Sequence, residues 1–222
     1  MEMPDSVSTG PSGKNTLKKA LLFCGIIAPV LYVASDIVAS ISWEGYSYMA
    51  QSVSETRAIG SPTRPLLVPV LLIYALLETA FALGVWGTAN QKRSSRITAV
   101  LLFGLGVVDL IAPFFPMHLR GTEATLTDTM HIIVTIANVI LILLVIGFGA
   151  FAAGKRFRIY SFATILILLI FGVWSFMDAP QIAANQPTPW LGLRERVNIY
   201  GYMIWLAVLA ITLLQWEKGK KN

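Results

Sequence analysis

Six apolar stretches, each close to the roughly 20 residues that cross a hydrocarbon core of about 30 Å, alternate with short polar segments along this chain. The first runs from about Leu17 to Ile41, the second from Pro65 to Gly87 and the third from Ile97 to Phe115. The fourth covers Thr129 to Ala153, the fifth Ile159 to Asp178 and the sixth Val197 to Trp216. Each is too long for a buried helix of a soluble domain, and none alternates in the way a membrane β-barrel strand does. The pattern predicts an all-α fold, a polytopic membrane helix bundle with six transmembrane helices in one domain over residues 17–216. Residues 1–16, rich in Ser, Gly and Pro, read as a disordered tail, and residues 217–222 as a basic tail.

Composition agrees. Of 222 residues, 55% are hydrophobic and 13% charged, with a mean hydropathy of +0.67. A soluble domain carries about 25% charged residues. The net charge of +5 does not point to nucleic acid, because the basic residues sit in small clusters between apolar runs; the expected partner is the lipid bilayer. The single Cys24 lies inside the first run, which excludes an intrachain disulfide and a cysteine-rich metal site. Lys18 and Lys19 ahead of an apolar stretch, followed by Ala34 and Ser35, have the outline of a signal peptide, but the run continues to Ile41 and reads as a retained helix.

The basic residues also orient the bundle. With the N-terminus inside, twelve Lys and Arg fall on the cytoplasmic side, at positions 14, 18, 19, 92, 93, 96, 155, 156, 158, 218, 220 and 221, against five on the outer side, Arg57, Arg64, Arg120, Arg194 and Arg196. This bias places both termini in the cytoplasm, with the cell membrane as the expected location. The inner loops are short, and the longer outer loops, Ser42–Arg64, Pro116–Asp128 and Ala179–Arg196, are where function is expected.

Ionisable groups inside a membrane span mark function or interhelical glue. Asp36, Asp109 and Asp178 fall in the outer halves of their spans, roughly 5–15 Å from the midplane at about 1.5 Å per residue; Glu78 lies near the middle of the second. Both histidines, His118 and His131, are on the outer side and are the metal candidates, with carboxylates to complete the shell of a divalent ion. Asp128, three residues before His131, either shares a ligand with it or serves as an N-cap. In the first outer loop, Trp43, Tyr46 and Tyr48 read as an interfacial aromatic belt. Ser54, Glu55, His131 and Asp109 are the catalytic candidates, with Ser54 and a histidine as a conceivable triad that no nucleophile-elbow motif surrounds. In the third outer loop, Arg194 and Arg196 are placed to pair with Asp178 or to clamp an anionic headgroup, beside Glu195. Ala80-x-x-x-Gly84 and Gly104-x-Gly106 predict close helix contact.

Several of these stretches resemble the six-helix membrane proteins of the domain of unknown function 998 family, over about Cys24 to Leu214. The resemblance rests on Ser52-Val-Ser54-Glu55-Thr-Arg-Ala-Ile-Gly60-Ser61-Pro62, on Phe115-Pro116-Met-His118, on His131, and on Glu195-Arg196-Val-Asn-Ile-Tyr200 with Trp205. It departs from the family pattern in having Thr56 where Leu is usual, and in lacking an acid near His118. The resemblance implies the six-helix fold and one outer site holding Ser54, Glu55, His118, His131, Glu195 and Arg196; it implies no activity.

Three functions remain open. In the first, an outer pocket lined by Asp36, Ser54, Glu55, Asp109, His118, His131, Asp178, Glu195 and Arg196 binds a lipid headgroup or small polar ligand. In the second, the protein is an intramembrane lipid hydrolase, metal-assisted, although it has one histidine fewer than the three-histidine sets of seven-helix hydrolases resembling alkaline ceramidases. In the third, Glu78 and Asp109 drive a proton-coupled carrier that lacks evident repeats.

Overall fold

A computed structural model describes residues 11–89 and 92–219. Its helices are α1 (Pro11–Ser42), α2 (Arg64–Thr88), α3 (Arg93–Ile111), α4 (Leu126–Gly149), α5 (Lys155–Phe176), the short α6 (Ala179–Ala183) and α7 (Leu191–Gly219). All but α6 are long and apolar enough to cross a membrane, so the bundle has the expected six spans. Among the described residues there is no strand, only an isolated bridge between Ile59 and His118. Two 3-10 turns, Val53–Arg57 and Ala112–Phe114, punctuate the loops of one end. Of the expected tails, residues 1–10 and 220–222 lie outside the described residues, Lys220 and Lys221 among them, and from Pro11 onward the chain is helical.

One boundary changes the picture. The sixth span was expected from Val197, but α7 begins at Leu191, so Arg194, Glu195 and Arg196 are not loop residues: they occupy its first turns. A helix can start on polar residues when their side chains find partners, and here Arg194 and Arg196 are both buried. Helix α4 likewise begins at Leu126, ahead of the expected Thr129.

Neighbouring helices pack in a ring, in which α1 touches α2 and α7, α3 lies between α2 and α4, and α5 packs on α7. Within the apolar stretch of α7, 44% is buried, against 17% for α4 and for α5. Helices α7 and α2, at 44% and 39%, are the most buried spans, and α4 and α5 turn Ile132, Ile136, Ile140, Leu166 and Ile170 outward to lipid. Trp205, fully buried on α7, stacks with Tyr202 and donates through its indole N–H to Ser161 Oγ at 2.9 Å. A buried tryptophan in hydrocarbon needs such an acceptor.

Small residues set the helix spacing, as the pattern predicts, with one exception. At Gly84 a Cβ would sit 3.0 Å from the backbone of Leu21 and Leu22, so α1 crosses α2 there; at Gly106 it would meet Ala75 and Thr79 of α2. Gly104, expected to share that role, has no neighbour within 4 Å.

The start of α1 and the end of α7 meet at one end of the bundle, where Lys18 pairs with Glu217 and Lys92 lies 4.3 Å from the Trp216 ring centroid. The three long loops gather at the other end.

Replacing Gly84 by Val should lower stability by about 1–3 kcal/mol, the usual cost of overpacking, because the atoms it meets are backbone. Gly104→Ala should be neutral or slightly stabilising. Thermal unfolding in detergent reads both, and equal midpoints for Gly84→Val and the parent would refute the close crossing.

Candidate functional site

The polar end is built around a buried ion pair. Asp36 of α1 and Arg196 of α7 are both almost fully buried and meet in a bidentate fork, Nε to Oδ2 at 2.8 Å and Nη2 to Oδ1 at 3.0 Å. Arg196 also donates to the Tyr48 carbonyl (2.6 Å), Ser40 Oγ (3.0 Å) and Tyr46 Oη (3.0 Å), and its guanidinium lies 3.6 Å from the Tyr48 ring centroid. Tyr200 Oη donates to Asp36 at 2.5 Å. Tyr46 and Tyr48 therefore do more than the expected aromatic belt: the Tyr46 hydroxyl and the Tyr48 ring and carbonyl solvate a buried charge. Burial pushes the Tyr46 phenol up to about 12, against the lowering effect of Arg196, so it stays neutral and donates to the Ser52 carbonyl at 2.9 Å.

The first loop is seated on α7 through this arginine and through Gly192, where a Cβ would collide with the Tyr48 and Gln51 carbonyls. Leu193 N–H, unpaired at a helix start, donates to the Met49 carbonyl at 3.1 Å.

A second fork joins the loops. Arg120, which was not among the candidate site residues, donates to Glu55 Oε1 (2.8 Å) and Oε2 (3.0 Å), and to Thr188 Oγ1 (2.7 Å), linking the first, second and third loops. Glu55 is buried and completes a capping box: Ser52 N–H donates to its carboxylate at 2.6 Å and Glu55 N–H to Ser52 Oγ at 3.2 Å. The Ser-x-x-Glu spacing is a sequence signal for that box. Gly60 adopts a positive φ of 91° after it, and Ile59 N–H reaches the Met117 carbonyl at 2.8 Å, so the first and second loops run side by side.

The histidines are separated. Asp128 accepts from His118 Nδ1 (2.8 Å) and from the His118 backbone N–H (2.7 Å). It also accepts from Thr125 N–H at 2.8 Å, so it stands at the third position of α4 and Thr125, not Asp128, is the N-cap. His131 Nδ1 instead faces the Phe115 carbonyl at 3.1 Å, and that acceptor calls for a proton on Nδ1. Asp128 and His131 thus use separate partners. Ser54 is half-buried, and neither it nor any other hydroxyl among the described residues is hydrogen-bonded to a histidine. No group of three or more His, Cys, Asp or Glu is placed to share a metal ion among the described residues.

The other candidates are held as follows. Arg194 pairs with Asp178, as one of the two expected alternatives had it, and donates to the Trp174 carbonyl at 3.0 Å. Glu195 accepts from Val53 N–H at 2.8 Å. Asp109 accepts from Asn138 Nδ2 at 2.7 Å, joining α3 to α4.

Arg57 is different. It has no ion pair among the described residues. Its guanidinium reaches toward the Tyr32 hydroxyl, and its charge acts on Asp109, His131 and Glu195. With Tyr32, Ser35, Asp36 and Thr56 it lines a narrow cavity with room for about one water molecule. The arginine was visible in the sequence as one of five outer basic residues, but nothing in the chain showed that Arg120, Arg194 and Arg196 would pair with acids and Arg64 with carbonyls while Arg57 would not.

Removing one partner of a buried ion pair costs about 3–5 kcal/mol, because the other charge is left uncompensated. Asp36→Asn should therefore destabilise the protein by about that amount, while Asp36→Asn combined with Arg196→Met should recover part of the loss. Chemical denaturation measures both; a single variant as stable as the parent would show that the pair does not hold α1 to α7.

The comparisons with known proteins come down to one match. No curated protein and no solved structure matches the chain. The family described as "Protein of unknown function (DUF998)" matches residues 26–212, a range that contains the second to fifth spans and the loop motifs of the polar end and reaches into the first and sixth. This multi-pass membrane protein with a loop-capped polar end belongs to the DUF998 family.

Proposed function

We propose that the protein binds a small anionic group, the phosphate of a lipid headgroup or a free anion of similar chemistry, at Arg57. The observation that carries this reading is the contrast among the five arginines of the loop end. Arg120, Arg194 and Arg196 are each paired with a carboxylate, and Arg64 donates to the carbonyls of Arg57 and Pro113. Arg57 has neither kind of partner among the described residues, and it borders a cavity. A guanidinium matches the geometry of phosphate and carboxylate oxygens with a planar fork of donors. Tyr32 and Ser35 supply hydroxyls on the same cavity wall. Because the cavity has room only for about one water molecule, a headgroup reaches Arg57 when the Val53–Arg57 turn shifts. Among the expected ligand residues, Asp36 borders the cavity with its charge already matched by Arg196, and Glu55, Asp178 and Arg196 serve in this reading as the frame around the site.

We further propose that the loop end faces away from the cytoplasm, with both termini inside. The support is the distribution of Lys and Arg, twelve against five. Cysteine introduced at exposed Thr122, in a background with Cys24 replaced, should react with a membrane-impermeant thiol reagent on intact cells, and cysteine at Gly219 should not. The reverse pattern would invert the topology.

For the anion site, native mass spectrometry of protein taken from phosphatidylglycerol-containing nanodiscs should show a retained anionic lipid. Arg57→Gln should weaken retention roughly tenfold or more, the effect of losing one charge-assisted contact. Inorganic phosphate that competes the lipid away would identify a free anion as an equal occupant. Equal lipid retention by Arg57→Gln would reject the site.

A further inference from the structure

We propose that Glu78, Asp109 and Asn138 form a binding site for a single monovalent cation, a proton or a sodium ion, in the interior of the bundle. The three residues come from α2, α3 and α4, and their arrangement leaves acceptors without donors. Glu78 is completely buried. Tyr202 Oη and Tyr74 Oη both donate to its Oε1, at 2.6 and 3.2 Å, while Oε2 has no hydrogen-bond partner. Asn138 spends its amide N–H on Asp109 Oδ1 at 2.7 Å, and its own Oδ1 is likewise buried without a partner. Asp109 lies within hydrogen-bond reach of the Glu78 carboxyl, a contact that forms only when one of the two acids carries a proton, where Gly106 brings α3 against α2.

The chemistry that satisfies these oxygens is positive charge. A buried acceptor left unpaired costs roughly 1–3 kcal/mol, and two ionised carboxylates facing each other in a low-dielectric interior repel strongly. One cation between the carboxylates relieves their repulsion and gives the Glu78 carboxylate its missing partner. The groups that face the pair do not already supply it. Tyr32 from α1, Tyr74 from α2 and Tyr202 from α7 are neutral donors, and Arg57 acts on Asp109 without forming an ion pair. Calcium takes about six to eight oxygens and magnesium an octahedral shell that keeps several waters, which three side chains do not provide, so the proposed charge is single. The site does not depend on the anion reading for Arg57.

Two measurements on the purified full-length protein separate the two cations. For sodium, the thermal midpoint should rise with sodium chloride relative to choline chloride at equal ionic strength, and the rise should vanish in both Glu78→Gln and Asp109→Asn. For a proton, infrared spectroscopy should show the carbonyl stretch of a protonated carboxylic acid that shifts in D2O and is lost in Glu78→Gln, with no sodium dependence. Asn138→Ala, at a half-buried position that leaves both carboxyls in place, should weaken the sodium effect or move the band. Either pattern supports the site. A parent protein with neither signal, or a signal that persists in Glu78→Gln, overturns it.

Discussion

The loop end of the bundle depends on the buried fork between Arg196 and Asp36. A guanidinium in this position has no water to solvate it, so every donor it carries must be met by protein. The carboxylate of Asp36, the hydroxyls of Ser40 and Tyr46 and the carbonyl of Tyr48 meet them. Meeting them fixes the first helix against the last and seats the first loop on the start of α7. Once that loop is seated, Glu55 is buried where Arg120 can grip it, and Arg120 in turn draws in the second and third loops. Without the first fork, the second has no fixed place to form.

The same rule explains why the two ends differ. Where α1 starts and α7 ends, one ion pair, Lys18–Glu217, is joined by lighter contacts such as Lys92 over Trp216 and Arg158 over Phe151. Such cation–π contacts orient a side chain without burying its charge. Where the loops meet, acids sit inside the spans and basic residues on α7 and the loops come to them. Intramembrane ionisable groups are expensive, so each is matched first for stability. The groups that remain unmatched after that accounting, Arg57 and the Glu78–Asp109–Asn138 cluster, are where a ligand would change the energetics most.

Some of this was legible along the chain. Asp36, Glu55, Asp178, Glu195 and Arg196 stand out as polar residues in or beside apolar runs, and all of them do gather at one end. Their roles were less legible. Arg194 and Asp178 are close enough in sequence to be guessed as a pair, whereas Asp36 and Arg196 are 160 residues apart. Arg120 carries no local signature at all, since its role exists only once three loops converge. Glu55 had one in the Ser-x-x-Glu capping box, which says how the turn is closed but not that an arginine will bind its acid.

Hydropathy is a property of consecutive residues, and crossing a bilayer requires about 20 of them in a row. The sequence by itself therefore determined the number of spans, their approximate limits and the crowding of unusual polar residues toward one end. Partner choice is different, because it depends on which helix faces come within hydrogen-bond reach, a distance of about 3 Å that no spacing along the chain encodes. Only the tertiary structure decided that α7 packs between α1 and α5, that Arg194 and Arg196 belong to its first turns, and that Arg57 is the outer arginine left, among the described residues, with neither a carboxylate nor a carbonyl partner.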